Sequence, residues 1–196
     1  MSVPPLPPIV LASISPQRRA ILEQLGIPFT VVSPSFEEHD SPDSDPVELV
    51  REHARGKAAS VGSHGESPVL GVDTAVVVDG RSLGKPAGAG DAEEMLELLS
   101  GRTHEVLSGL CLRTRGWEEL RHEVTTVTFR SLTPRDLGRY VAAGEWKGRA
   151  GGYAIQGLGA SLVERVEGDY LNVVGLPASL LVRLLSERFP GAYGFG

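Results

Sequence analysis

The sequence predicts an α/β protein. Strand-like and helix-like segments alternate along its length. The apolar run Ile9-Val10-Leu11-Ala12 leads straight into Ser13-Ile14-Ser15-Pro16, which has the residues of a helix start. A second, longer apolar run from Val69 to Val78 is followed by Asp79-Gly80, a dipeptide suited to a tight hairpin turn.

Each element has its own local reason. Ile9 to Ala12 reads as a strand. Ser15 is a good N-cap and Pro16 suits the first helical position, where its missing N–H costs nothing. The helix is expected over 17–25 and Gly26 ends it. Residues 29–32 read as a short strand, and the polar stretch 33–45 as a loop carrying Glu37 and Glu38. Asp45-Pro46 caps a helix whose apolar positions Val47, Val50, Ala54, Ala58 and Val61 approach helical spacing, with Lys57 near its end. Val69 to Val78 gives the strongest strand signal, and the return passes through Leu83-Gly84-Lys85-Pro86.

A helix over 92–99 stops at Ser100-Gly101. Two long strands, 103–113 and 122–131, are joined by a polar turn around Gly116. Thr133-Pro134 with Asp136 caps a helix that ends near Gly144. The segment 148–159 is a glycine-rich loop, 162–166 a strand, and Leu176-Pro177 leads into an amphipathic helix with Leu180, Leu181, Leu184 and Leu185. Residues 1–8 are proline-rich and expected to be disordered, leaving 9–196 as one domain with room for two lobes.

Composition narrows the function. With 196 residues, 41% hydrophobic and 22% charged, the chain has the make-up of a globular soluble protein. A net charge of −6 without a long basic block argues against nucleic acid and anionic membranes as partners. An anionic ligand must then be met by a local cluster of positive charge. Cys111 is the single cysteine, so no internal disulfide forms, and its apolar surroundings make it a buried small hydrophobe. The start lacks the charged region and apolar core of a signal peptide, and no apolar run approaches membrane-spanning length, so a cytoplasmic location is expected.

Four segments place unusual polar residues at strand ends or in glycine-rich turns. Ser13 to Arg19 joins hydroxyls, N-terminal amides and two arginines into a site for a multiply charged anion, or else a capped surface helix with solvated arginines. Asp73 lies in a strand where a buried charge is costly unless compensated. It could be a satisfied structural aspartate, a metal ligand or a general base. Lys85, in the same hairpin, could be a solvated loop lysine or a phosphate partner. Glu38 alone is an ordinary loop glutamate. Gln156 lies in a glycine-rich stretch, where its amide can read a base edge by donor and acceptor together. The histidines show no metal-ligand spacing, and Walker, dinucleotide-fingerprint and GxSxG patterns are absent.

Taken together, these segments resemble the Maf family of nucleoside triphosphate pyrophosphatases from about Ile9 to Leu185. The matching motifs are Leu-Ala-Ser-Ile-Ser-Pro-Gln-Arg-Arg at 11–19, Phe36-Glu37-Glu38, Arg55-Gly56-Lys57-Ala58, Gly71-Val72-Asp73-Thr74 and Leu83-Gly84-Lys85-Pro86. They continue with Leu99-Ser100-Gly101-Arg102-Thr103-His104, the stretch 150–157 and Val173-Val174-Gly175-Leu176-Pro177. The resemblance implies a mixed, elongated sheet with flanking helices, similar to inosine triphosphate pyrophosphatases, with two lobes around a cleft and a homodimer. It implies hydrolysis of a nucleoside triphosphate to the monophosphate and pyrophosphate, assisted by Mg2+ or Mn2+.

Functional positions carried over from the family fall on Ser13, Arg18, Glu38, Lys57, Asp73, Lys85 and Gln156. Glu38 and Asp73 would hold the metal, Asp73 would act as base, and Arg18, Lys57 and Lys85 would meet the triphosphate. Gln17, Thr74 and Gln156 bear on base choice. The dTTP and UTP branch carries arginine, threonine and glutamine at these points, and the 7-methyl-GTP branch tryptophan, glutamine and glutamate. Thr74 and Gln156 match the first branch, while Gln17 matches neither. dTTP and UTP, with modified pyrimidine nucleotides beside them, are the expected substrates in a house-cleaning role. Two other readings remain: a nucleotide-binding regulator of septum formation with little turnover, and a small-molecule phosphatase or sugar-phosphate enzyme.

Overall fold

The computed structural model describes residues 7–39 and 44–195. For residues 1–6, the expectation of a disordered start lies outside the described residues. The Pro7 carbonyl accepts a hydrogen bond of 3.0 Å from the Tyr193 hydroxyl.

Seven strands of the described residues form one mixed sheet: β1 (Ile9–Ala12), β2 (Phe29–Val32), β3 (Val69–Val78), β4 (Arg81–Leu83), β5 (Thr103–Arg113), β6 (Glu118–Phe129) and β7 (Val163–Glu167). Their order is β2-β1-β3-β5-β6-β7, with β4 paired to β3. β1 runs parallel to β2 and β3; the remaining pairs are antiparallel. Among the described residues, six helices flank it: α1 (Pro16–Gln24), α2 (Pro46–Ser60), α3 (Ala89–Leu99), α4 (Pro134–Ala143), α5 (Tyr170–Val174) and α6 (Ala178–Arg188).

The strand period of two divides the core between the sheet's faces. Leu70 and Val72 pack with Ile9, Leu11 and α6, while Val76 and Val78, farther along the same face, pack with α3 and α4 residues. Ala75 and Val77 turn the other way and meet Val50 of α2. Thr74 sits where the first face passes from one apolar cluster to the other. Asp73 belongs to the face covered by α2.

The start signals behave as local chemistry requires. Ser15, Asp45 and Thr133 each accept a backbone N–H as N-cap, with proline following, and Thr133 with Asp136 completes a capping box. Asp79 and Gly80 have φ of 51° and 73°, the left-handed pair of a tight hairpin turn.

Several boundaries differ from the sequence expectation. β6 begins at Glu118 rather than 122, because its charged residues pair across to β5 as far as Arg113–Glu118 instead of forming a turn. α3 begins at Ala89, a turn early, with the Asp91 carboxylate accepting from Ala87 N–H. The loop 148–159 contains 3-10 turns at Ala150–Gly152 and Gly157–Leu162. β7 covers 163–167. The short α5 was not expected; Asp169 caps it by accepting from the Leu171 and Asn172 amides.

Candidate active site

The site begins where β3 lacks a strand neighbour. β1 pairs with β3 only at Val10–Val69 and Leu11–Leu70, and β4 joins the strand from Val76 onward. Between those pairings, residues 71–75 have no strand on that edge among the described residues. The chain leaves β1 at Ala12, turns through Ser13 to Ser15 and starts α1 beside this opening. A cleft of about 680 Å³ results, a size suited to a nucleotide. All nine sequence-nominated residues line it: Ser13, Gln17, Arg18, Glu38, Lys57, Asp73, Thr74, Lys85 and Gln156.

Asp73 is the centre of one wall. Lys57 Nζ lies 2.5 Å from Asp73 Oδ1 and 2.5 Å from Glu38 Oε1, so one ammonium bridges two carboxylates. His53 Nδ1 lies 3.2 Å from Asp73 Oδ2. Burial pushes the Asp73 carboxyl up, but the His53 hydrogen bond, the Lys57 charge and hydrogen bond, and the Arg18 charge together bring it down to about 2. Asp73 is ionised at neutral pH.

Two glycines make this contact possible. A Cβ at Gly71 would stand 2.1 Å from the Ala54 carbonyl oxygen, and one at Gly109, opposite Asp73 on β5, 2.0 Å from that of Val50. α2 therefore rests directly on the sheet and delivers His53 and Lys57, one turn apart on one helix face, to Asp73. The helical spacing of His53 and Lys57 was the available signal for His53, which the absence of a metal motif obscured.

Arg18 ties three segments together. Its Nε donates to the Gly175 carbonyl at 2.9 Å, one terminal nitrogen to Ser13 Oγ at 3.2 Å, and the other to Thr74 Oγ1 at 3.3 Å. Burial lowers its pKa, opposed by the charges of Asp73 and Glu38. Thr74 Oγ1 also shares a 2.9 Å hydrogen bond with Ser108 Oγ on β5. Gln17 is engaged locally, its Oε1 accepting from the Ser15 hydroxyl at 3.2 Å. Arg19 is exposed and outside the cleft lining.

The opposite wall is built from the glycine-rich segment. Gly151 N–H donates to the Gly84 carbonyl at 3.0 Å, joining this segment to the turn that carries Lys85. Gln156 is exposed and precedes the second 3-10 turn. Glu145 accepts from the Leu158 and Gly159 amides at 3.0 and 3.2 Å and so holds that turn. Gly157 is left-handed, with φ of 66°, and a Cβ there would meet the Glu145 carboxylate at 2.8 Å. Tyr153 also lines the cleft; its hydroxyl lies 2.8 Å from His104 Nε2 in a buried pair. Sequence reasoning missed Glu145 and Arg149, both cleft residues, because nothing in their local sequence distinguishes them from surface charges.

The donor set fits a divalent cation. One ligand atom each from Glu38, His53 and Asp73 lies within 4.8 Å of the others, and two of the three are carboxylate oxygens, the donors that hard cations prefer. Cys111 is fully buried with its thiol pushed up to about 12, which excludes it as a thiolate nucleophile.

The Maf-like protein family matches residues 8–188. The chain belongs to the Maf-like family. Curated relatives agree over nearly their whole lengths. The dTTP/UTP pyrophosphatase of Symbiobacterium thermophilum is 48% identical over 181 residues, 91% of this chain and 93% of that one. Those of Bacillus cytotoxicus and Deinococcus radiodurans are 46% and 43% identical, covering 93% and 96% of this chain and 96% of each relative. A solved structure, the Ham1 protein of Staphylococcus aureus, matches 63% of this Maf-like chain and 72% of its own at 12% identity, with a TM-score of 0.44. No helix among the described residues is long and apolar enough to cross a membrane.

Proposed function

We propose that this Maf-like protein is a dTTP/UTP pyrophosphatase, adding water across the bond between the α and β phosphates to give the nucleoside monophosphate and pyrophosphate. One observation carries the reading. The described structure gathers Ser13, Arg18, Glu38, Lys57, Asp73, Lys85 and Gln156 from separate stretches of chain into one cleft of nucleotide size.

Arg18, Lys57 and Lys85 meet the triphosphate charge, with Ser13 accepting from Arg18 and fixing its direction. Glu38 and Asp73, with His53 beside them, are the residues that hold a divalent cation such as Mg2+ or Mn2+, whose chemistry when bound is charge neutralisation at phosphate oxygens and a lowered pKa for water. Asp73 receives the proton of the attacking water. In the free protein it is a weak base, because Lys57 and His53 stabilise its charge. Phosphate oxygens compete for the Lys57 ammonium, and as that contact loosens the Asp73 pKa rises toward a useful value. Gln156 presents its amide to the pyrimidine edge from a turn fixed by Glu145.

A panel of triphosphates tests this, with pyrophosphate and orthophosphate measured separately, with and without Mg2+. Metal-dependent pyrophosphate release that is greatest for dTTP and UTP is expected. Orthophosphate release would replace this reading with a phosphatase, and a clear preference for 7-methyl-GTP would overturn the base assignment. Binding without turnover would leave the regulator. Because Gln17 stands where the dTTP and UTP branch carries arginine, CTP belongs in the panel.

A further inference from the structure

Arg149 carries a charge for which the described residues supply no hydrogen-bond or ion-pair partner. It is half-buried in the cleft lining, yet its guanidinium makes no hydrogen bond or ion pair among the described residues. The other cleft cations differ. Lys57 is held between Glu38 and Asp73, and Arg18 spends a nitrogen on each of Ser13, Thr74 and Gly175. Only Lys85, among the described cleft cations, is similarly without a partner. Glu145, the cleft carboxylate four residues before Arg149, is committed to the Leu158 and Gly159 amides.

The backbone beneath Arg149 is fixed. Its N–H donates to the Trp146 carbonyl at 3.1 Å, and its own carbonyl accepts from Gly152 N–H at 3.1 Å. Two residues on, Gly151 N–H binds the carbonyl of Gly84, the residue before Lys85. A Cβ on Gly151 would press within 2.9 Å of the Val76 side chain, so this join sits tightly on β3. The two unpartnered cations thus stand on two chain segments fastened side by side, facing a wall whose lysine is already neutralised.

We propose that Arg149, paired with Lys85, is a substrate-binding residue that grips the phosphate oxygens of the nucleoside triphosphate and of the pyrophosphate product. The proposal rests on the pyrophosphatase reading and adds to it a residue and a division of labour. The Asp73 wall holds the reacting water and meets the phosphate under attack through Lys57 and Arg18, and the Lys85–Arg149 wall grips the rest of the polyphosphate. A planar guanidinium gives two parallel N–H donors to phosphate oxygens, which an ammonium cannot, so arginine suits this place. In a protein of net charge −6, such local charge is what an anionic substrate requires.

Arg149→Gln and Arg149→Lys test it, with Lys147→Gln as control, since Lys147 is an exposed charge of the same loop outside the cleft lining. Arg149→Gln is expected to raise the KM for dTTP and weaken inhibition by inorganic pyrophosphate by about 10- to 100-fold, the usual effect of losing a charged hydrogen bond. Inhibition by thymidine, which has no phosphate, stays unchanged. Arg149→Lys recovers part of the loss, and Lys147→Gln behaves as the parent. Parent-like pyrophosphate inhibition in Arg149→Gln overturns the proposal, as does an equal loss for pyrophosphate and thymidine, which marks a structural role. If the parent releases no pyrophosphate from any triphosphate, the activity reading fails. Calorimetric binding of inorganic pyrophosphate to parent and Arg149→Gln then still decides the anion site.

Discussion

Lys57 and Lys85 bring the same side chain to the same cleft in opposite settings. Lys57 is buried on α2 and lies 2.5 Å from each of two carboxylates. Lys85 is exposed after β4 and has no partner among the described residues. The first wall is electrostatically complete before any ligand arrives, and removing one member strands the others. The second wall, with Lys85, Arg149 and Gln156, is incomplete without an anion. Charges that satisfy one another organise the reacting groups, and unsatisfied charges recruit the substrate.

The sharpest attempt to break this division is Asp73→Asn. A fall in kcat of about 10³-fold is expected, the scale of losing a general base, while calorimetry still detects nucleotide binding because the second wall is intact. Parent-like turnover removes Asp73 from the chemistry.

Comparing Lys57→Ala with Lys85→Ala tests the two settings directly. Losing Lys57 leaves Asp73 buried and short of compensation, so urea unfolding should register about 3 kcal/mol of destabilisation, the lower part of the range for breaking a buried pair. Losing Lys85 should leave stability within about 0.5 kcal/mol and raise the KM for dTTP about 10-fold. Equal destabilisation by the two variants would abolish the contrast.

Mild acid reaches a group behind the second wall. His104, behind Tyr153, is buried, and burial lowers its pKa from 6.5 to about 4. As pH falls from 6.5 to about 4 the unfolded chain takes up a proton that the folded protein refuses. Stability therefore drops across that interval, by up to about 3 kcal/mol, and levels off below it. Asp73, at about 2, stays ionised throughout. His104→Gln, which keeps an amide for the Tyr153 hydroxyl, should flatten this decline in thermal melts at a series of pH values. An unchanged decline would assign it to other groups.

Much of the fold was legible because its signals are local. Ser15-Pro16, Asp45-Pro46 and Thr133-Pro134 mark helix starts by chemistry within four residues, and Asp79-Gly80 fixes a turn by backbone conformation alone. The start of β6 was not legible: Glu118, Glu119 and Arg121 are charged, and only pairing with β5 makes this stretch a strand. α5 is too short for a periodic pattern, and its cap acts where no helix was expected. Within the site, Asp73 stood out because a carboxylate in an apolar strand demands compensation, whereas Glu145 and Arg149 look like surface charges until the chain folds over them.

The sequence by itself determined the alternation of strands and helices apart from α5, the caps of three helices and the turn at Asp79-Gly80, and the set of polar residues too costly to bury without purpose. The tertiary structure decided which of those residues meet. β1 leaves β3 after two paired positions, and the edge at 71–75 opens into a cleft. Gly71 and Gly109 let α2 descend until Lys57 and His53 reach Asp73. Only there does it become evident which charges are satisfied from within and which wait for a ligand, because pairing depends on distances of a few ångströms between residues far apart in the chain.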